Sequence, residues 1–302
     1  MNAWSAKPMR SLLFCPGNDA HKLSRVGDFG SDAVALDLED AVADDEKITA
    51  RAIVKDAILS VKKKTEIVLV RVNSIETGLM AGDIAAVVSP GLDGIVIPKV
   101  QDVNTLHEVD QLIALAEKSA GLEEGSIRLV VLIETALGLV RCDEILVNAP
   151  ERVEKVIFGC GDFSNDIGVT LSRDGNEILY ARSKIVVASR AAGLGAPLDG
   201  PYIHIEDDEG LRINTRISRS LGFSGRVVVY PKQVATVQDE YSKLTPTEVA
   251  SFKKIIEEFE NAESRGLAAI RVDGVFIDYP LYYRAKEQLR LLDILGSKKE
   301  NI

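Results

Sequence analysis

The chain has 302 residues, with 36 Lys and Arg against 46 Asp and Glu for a formal charge of −10; 46% of residues are hydrophobic and 27% charged. This is globular composition with ample material for a core, which excludes disorder over most of the length, and the acidic balance excludes a general nucleic-acid binder. Such a length is about twice a typical domain but also fits a single α/β barrel. No apolar run approaches the ~20 residues needed to cross a bilayer, and the opening MNAWSAKPMRSLLF has no signal-type apolar segment. The three cysteines, Cys15, Cys142 and Cys160, are far apart without CxxC spacing; neither a disulfide framework nor a zinc site is supported. The expectation is a soluble cytoplasmic protein with no membrane and no nucleic-acid partner.

Short apolar runs rich in Val and Ile fall at residues 11–16, 33–38, 67–72, 94–98, 127–133, 155–159, 201–205 and 226–229. Most are continuous rather than alternating, as in parallel strands buried on both faces. The segments between them can carry amphipathic helices. Residues 102–120 place Val103, Leu106, Val109, Leu112, Ile113 and Leu115 at mostly helical spacing, and residues 177–192 do the same before Gly193, a C-cap. Strands alternating with helices over residues 10–240 predict a (β/α)₈ TIM barrel, with a doubly wound sheet as the runner-up. Residues 241–302 form a C-terminal helical extension, too short for an independent domain and read as a lid or inter-subunit arm. Thr245-Pro246-Thr247-Glu248 has capping-box form, a stripe of Val249, Phe252, Ile255, Ile256 and Phe259 follows, and a final helix is read over 279–295.

A barrel demands chemistry at the C-terminal ends of its strands, and charged residues gather there. Glu134 ends VVLIE and Asp162 follows VIFGCGD. Two such carboxylates suit one Mg²⁺; helix capping is the competing reading. Asp37, Glu39 and Asp40 end ALDLED, as outer support for a metal site or as caps after Ala41. Arg71, ending IVLVR, offers a guanidinium fork to a carboxylate, or else makes a surface salt bridge. Lys99 is undecided between a Schiff-base lysine and an ion pair. Arg10, His21, Lys22 and Arg25 surround the PGND turn as a phosphate cluster or a solvated basic face. Cys15 reads as a small buried residue before a nucleophile. The chain shows no HExxH, GxSxG, P-loop or GxGxxG pattern.

Taken together, RSLLFCPGND, DAVALDLEDAVA, VRVNS, GLDGIVIPKV, LIETALGL, FGCGDFSNDIG, ILYARSKIVVASRAAGL and GFSGRVVVYPKQV resemble the citrate lyase β-subunit-like branch of the HpcH/HpaI aldolase superfamily over nearly the whole chain. The resemblance implies a Mg²⁺-dependent acyl-CoA carbon–carbon lyase working on a CoA thioester as substrate. Such an enzyme releases acetyl-CoA and a 2-oxo acid, as from a citramalyl-CoA-like compound. Malyl-CoA or methylmalyl-CoA cleavage, a malate synthase-like condensation with thioester hydrolysis, and a non-catalytic subunit of a citrate lyase-type complex are the alternatives. The likeness implies Glu134 and Asp162 as metal ligands and Arg71 at the substrate. Phe14, Lys22 and Arg25 would serve the CoA, with Leu198 and Asp199 near its thioester end. Asp278, in the tail motif FIDYPL, would be the acid/base, supplied by a neighbouring subunit of a homotrimer or dimer of trimers. The sequence departs from relatives at Tyr230, where many carry His, and at His21, where a related lyase has a second lysine.

Overall fold

The computed structural model describes residues 9–244 and 246–297. Among them, eight parallel strands close into a barrel in sequence order: β1 (Ser11–Pro16), β2 (Ala33–Asp37), β3 (Ile67–Arg71), β4 (Gly94–Ile97), β5 (Arg128–Ile133), β6 (Val153–Phe158), β7 (Leu198–Asp199) and β8 (Gly225–Val228). Leu12↔Val227 and its neighbours shut the ring between β1 and β8. The outer layer comprises α1 (Ala20–Arg25), α2 (Lys47–Lys62), α3 (Met80–Val87), α4 (Val103–Ala120), α5 (Ala136–Val147), α6 (Cys160–Asp166), α7 (Leu179–Ala191), α8 (Asp208–Leu221) and α9 (Gln233–Ser242). The TIM barrel expected from the βα alternation is the fold; the doubly wound sheet is not.

The period-2 geometry of strands explains the two layers of core. Leu12, Ala33, Ala35, Ile67, Leu69, Val96, Val130, Leu132, Ile157, Leu198 and Val227 fill the barrel interior. Their alternates, among them Leu13, Val34, Leu36, Val68, Val70, Val131, Val156 and Phe158, pack outward against the helices. Both faces are dry, which is why the runs are continuously apolar. The helix over 103–120 begins on Asp102, whose carboxylate accepts from the Asn104 amide at 2.7 Å. The Gly193 C-cap signal is also correct: Gly193 at φ 72° donates to the Arg190 carbonyl and Leu194 to that of Ser189, the paired bonds of a Schellman motif.

The seventh strand was misplaced. The expected run at 201–205 is loop, and β7 is two residues long and lies upstream. Pro201 has no amide to give a ladder. Gly200 is pressed so close to Cys160 that a Cβ would stand 2.5 Å from its Sγ. The chain turns there, leaving Ile203 and Ile205 exposed.

Lys155 on β6 donates to the Ala196 carbonyl at 2.9 Å and the Ser224 hydroxyl at 3.3 Å. Burial, with Arg190 nearby, brings its pKa down to about 8. Between pH 8 and 10.5 the unfolded chain therefore binds more protons at this group, so its stability contribution rises with pH in that window. Urea unfolding across pH 7–10.5 should show wild type gaining stability relative to Lys155→Met. Parallel pH profiles would place that ammonium in water.

The chain clusters into two compact units, Met1–Tyr241 and Ser242–Ile302. The second contains α10 (Pro246–Glu263), β9 (Ala269–Val272), β10 (Val275–Asp278) and α11 (Tyr279–Ser297). It is not all helical as expected: β9 and β10 form an antiparallel hairpin, reversed at Asp273-Gly274, where φ is 48° and 85°, the conformation an Asp-Gly turn favours. Phe259, Val272, Ile277 and Tyr282 form its own core. Thr245 of the expected capping box lies outside the described residues. Among the described residues no helix is long and apolar enough to cross a membrane.

Candidate active site

The inward parity of the barrel interior continues into charge at its C-terminal end. Asp37 and Glu39 extend the series Ala33, Ala35; Arg71 extends Ile67, Leu69; Glu134 extends Val130, Leu132; Phe14 extends Leu12. Each of these four apolar columns thus ends in a side chain at the mouth, which is how a barrel assembles a site from separate strands.

Arg71 is the centre of the array and is only 9% exposed. Its Nε donates to Asp37 Oδ1 at 2.7 Å and Nη2 to Asp37 Oδ2 at 2.6 Å. Nη1 faces Glu39 Oε2 at 3.0 Å and Asp40 Oδ2 at 3.2 Å, and Phe14 lies against the guanidinium, 5.1 Å from ring centroid to Cζ. Asp37 also accepts the amides of Glu39 and Ala41. No helix follows Ala41, since α2 starts at Lys47, so the capping reading of this acidic group fails. Arg71 is not a surface ion pair either. Its Nε–Nη2 edge is spent on Asp37, and Nη1 is held by Glu39 and Asp40, so a ligand carboxylate reaches the guanidinium by taking their place.

Lys99 Nζ lies 2.9 Å from Glu39 Oε1 and 3.5 Å from Asp40 Oδ1. Burial, only partly offset by Arg71 and Lys99, raises the Glu39 pKa to about 7. The Lys99 amide donates to Glu134 Oε1 at 2.8 Å, from a backbone at φ 52°, a left-handed conformation costing a lysine about 1 kcal/mol or more.

Glu134 is 2% exposed. Burial, then the charges of Glu39 and Asp162, push its pKa well above the usual carboxylate range. Capping of α5 belongs to Thr135, whose Oγ1 accepts from Gly138, so Glu134 is not a cap. Asp162 is half-buried in the first turn of α6. Among the described residues, no three or more His, Cys, Asp or Glu converge as a metal-binding group. Two carboxylates under like-charge repulsion, one of them desolvated, are the donor set that suits Mg²⁺, which keeps most of its shell for water and ligand oxygens. Gly159 makes the space: a Cβ there would lie 2.4 Å from Glu134 Cβ and 2.5 Å from Oε2. Gly159→Ala should cost about 1–3 kcal/mol of stability through overpacking and weaken Mn²⁺ binding by displacing Glu134. Wild-type values for both in a Mn²⁺ titration and a denaturant melt would refute the contact.

Residues 10–231 match the HpcH/HpaI aldolase/citrate lyase family. The chain belongs to that family. It is 35% identical to the citrate lyase subunit beta of Leuconostoc mesenteroides subsp. cremoris over 282 residues, 93% of this chain and 92% of that protein. It is 32% identical to the mitochondrial citramalyl-CoA lyase of Rattus norvegicus over 300 residues, 96% of this chain and 88% of that protein. The crystal structure of protein CitE from Mycobacterium tuberculosis in complex with magnesium, acetoacetate and coenzyme A superposes with a TM-score of 0.76 at 25% identity, covering 95% of this chain and 99% of that one.

Not every residue suggested by the family likeness is drawn into this site. Lys22 and Arg25 are exposed on α1, engaged with Asp19 at 3.1 Å and Asp28 at 3.9 Å, and His21 is exposed beside them. Arg10 does not join them. It lies at the opposite end of β1, clamped to Asp32 at 2.7 Å, because a six-residue strand separates its ends by about 17–20 Å. Leu198 is sealed in the barrel interior. Asp199, 0% exposed, points the other way and pairs with Arg182 at 3.1 Å; neither has a surface to offer a pantetheine. Cys15 is buried with its thiol pushed up to about 12, chiefly by desolvation, which removes it as a nucleophile. Tyr230 stands after β8 with Lys232 Nζ 5.6 Å from its ring centroid. Asp278 ends β10 in the second unit, and its Oδ1 accepts the Leu281 amide at 3.4 Å, a capping contact at the start of α11. The sequence reading missed Gly159 and the Lys99 amide. Only the first carried a signal, a glycine at the end of an apolar strand.

Proposed function

We propose that the chain is a Mg²⁺-dependent carbon–carbon lyase of an acyl-CoA. It would cleave citramalyl-CoA or a related 3-hydroxy-3-carboxyacyl-CoA to acetyl-CoA and a 2-oxo acid such as pyruvate. The observation that carries the reading is the convergence of a buried guanidinium, Arg71, and a buried, electrostatically strained carboxylate, Glu134, on inward positions of one barrel mouth. Glu134 and Asp162 would hold the ion. When bound, it supplies Lewis-acid polarisation of the substrate's hydroxyl and carboxylate oxygens.

The chain's own residues do the rest. Asp37 locks one edge of Arg71, so the guanidinium keeps its orientation while the substrate carboxylate takes the Nη1 side in place of Glu39 and Asp40. Phe14 backs the guanidinium and excludes water from that face. As the C–C bond breaks, its electron pair passes to the thioester α-carbon. The hydroxyl oxygen gives up its proton to the Asp278 carboxylate of a neighbouring subunit and becomes the keto oxygen of the 2-oxo acid. The α-carbon then takes a proton, and Asp278 of a neighbouring subunit would deliver it. This requires a self-associating protein, a homotrimer or dimer of trimers, consistent with a cytoplasmic enzyme whose cysteines Cys15, Cys142 and Cys160 are buried free thiols. Lys22 and Arg25, exposed on α1, would meet the CoA phosphates.

The test is release of a 2-oxo acid from a panel of acyl-CoA thioesters, with and without Mg²⁺. Mg²⁺-dependent release from a 3-hydroxy-3-carboxyacyl-CoA is expected. Binding of acyl-CoA without turnover on any of them would leave a non-catalytic subunit.

A further inference from the structure

Lys99 serves three carboxylates at once. Its main-chain amide donates to Glu134 Oε1 at 2.8 Å, while its ammonium lies 2.9 Å from Glu39 Oε1 and 3.5 Å from Asp40 Oδ1. Asp162 adds its charge to the same surroundings. The residue follows Pro98 at the end of β4 and holds φ 52°. The other non-glycine at positive φ among the described residues, Asp273, sits in a hairpin turn that calls for it. Lys99 has no such turn to account for its conformation. The strained backbone is what turns its amide across to the carboxylate that ends β5. The side chain then reaches back over the acidic loop after β2. A fixed positive charge thus stands among the same carboxylates that would attract a divalent cation.

We propose that Lys99 is a positioning residue of the divalent-cation site, its main chain aiming Glu134 and its ammonium holding the site's affinity for the free cation low. The inference rests on the assignment of Glu134 and Asp162 as ligands made above. It has a consequence for order of binding. Asp37, Glu39, Asp40, Glu134 and Asp162 outnumber Lys99 and Arg71 at the mouth, so the cation's charge relieves a field that repels an anionic ligand, and cation and 2-oxo acid bind with positive coupling, each strengthening the other.

The experiment is a Mn²⁺ titration of the metal-stripped full chain, followed by electron paramagnetic resonance, with and without pyruvate. Lys99→Met keeps the backbone amide and removes the charge; it should bind Mn²⁺ about tenfold more tightly than wild type without pyruvate and show less gain when pyruvate is added. Lys99→Arg restores the charge and should return both values to those of wild type. Lys99→Val also removes the charge, and its β-branched side chain disfavours the positive φ that aims the amide, so it should bind Mn²⁺ more weakly than Lys99→Met. A part played only in packing predicts the opposite order, with every substitution weakening the site. If wild type binds Mn²⁺ but Lys99→Met binds it no tighter, the opposing charge is refuted and the ligand assignment stands. If Lys99→Val equals Lys99→Met, the aiming of Glu134 is refuted. If wild type binds no Mn²⁺ even with pyruvate, the ligand assignment fails and the inference with it.

Discussion

Arg71→Lys is expected to lose about 10²–10³-fold in kcat/KM, with both kcat and KM affected. The guanidinium does two jobs at once: two parallel bonds to Asp37, at 2.7 and 2.6 Å, and an Nη1 group that holds Glu39 and Asp40 at the mouth until a substrate carboxylate takes their place. An ammonium is a single point of charge and cannot hold Asp37 while presenting a second oriented edge, and misplacing a bound group by about 1 Å costs on the order of 10²-fold. Stability separates the chemistry from the fold. Arg71→Lys retains a positive charge against Asp37, whereas Arg71→Ala leaves a carboxylate that is 1% exposed without its partner and should cost about 3–5 kcal/mol. Kinetics near those of wild type in Arg71→Lys, measured beside a denaturant melt of both variants, would reduce the residue to a structural ion pair.

The second large effect concerns two variants that are each expected to be inactive. Glu134→Gln should abolish Mn²⁺ binding and turnover without unfolding the chain. Because burial and the neighbouring charges of Glu39 and Asp162 raise the Glu134 pKa in the folded state, its ionised form opposes folding. That penalty grows as pH rises above the unfolded carboxylate pKa of about 4.3, so the metal-free Gln variant should be at least as stable as wild type at neutral pH. Asp278→Asn keeps an oxygen for the Leu281 amide and so preserves the start of α11, while removing the proton donor. Mixed and allowed to exchange subunits, the two inactive proteins should regain activity if Asp278 works in a neighbour's site. A pairing of an intact metal site with an intact Asp278 arises at half times half of random interfaces, roughly a quarter of wild-type activity. Subunit exchange confirmed by mass spectrometry without any recovery would refute the action in trans. Normal turnover by Asp278→Asn alone would refute the proton-donor role.

Local pattern determined much of this protein before any tertiary contact. Continuous Val and Ile runs at helix-length spacing specify a parallel sheet covered on both faces, and strand parity places Asp37, Arg71 and Glu134 on the interior side of the ends of β2, β3 and β5. Period 2 is a property of the chain itself, so these positions are readable one strand at a time. The tertiary structure decided what parity does not contain. The apolar run at 201–205 obeys a strand pattern, yet it is loop, because Pro201 lacks an amide and Gly200 is pinned by Cys160 from another element. Arg10 and Lys22 look like one basic cluster in sequence, but the length of β1 stands between them. Asp199 adjoins the barrel interior in sequence and faces away from it, toward Arg182 on α7. Above all, the sequence shows Lys99 only as a lysine after a proline. That its amide holds Glu134, 35 residues on, and its ammonium holds Glu39, 60 residues back, follows from closing the barrel, which brings β2, β4 and β5 around one mouth and makes charges that are remote along the chain compete for the same space.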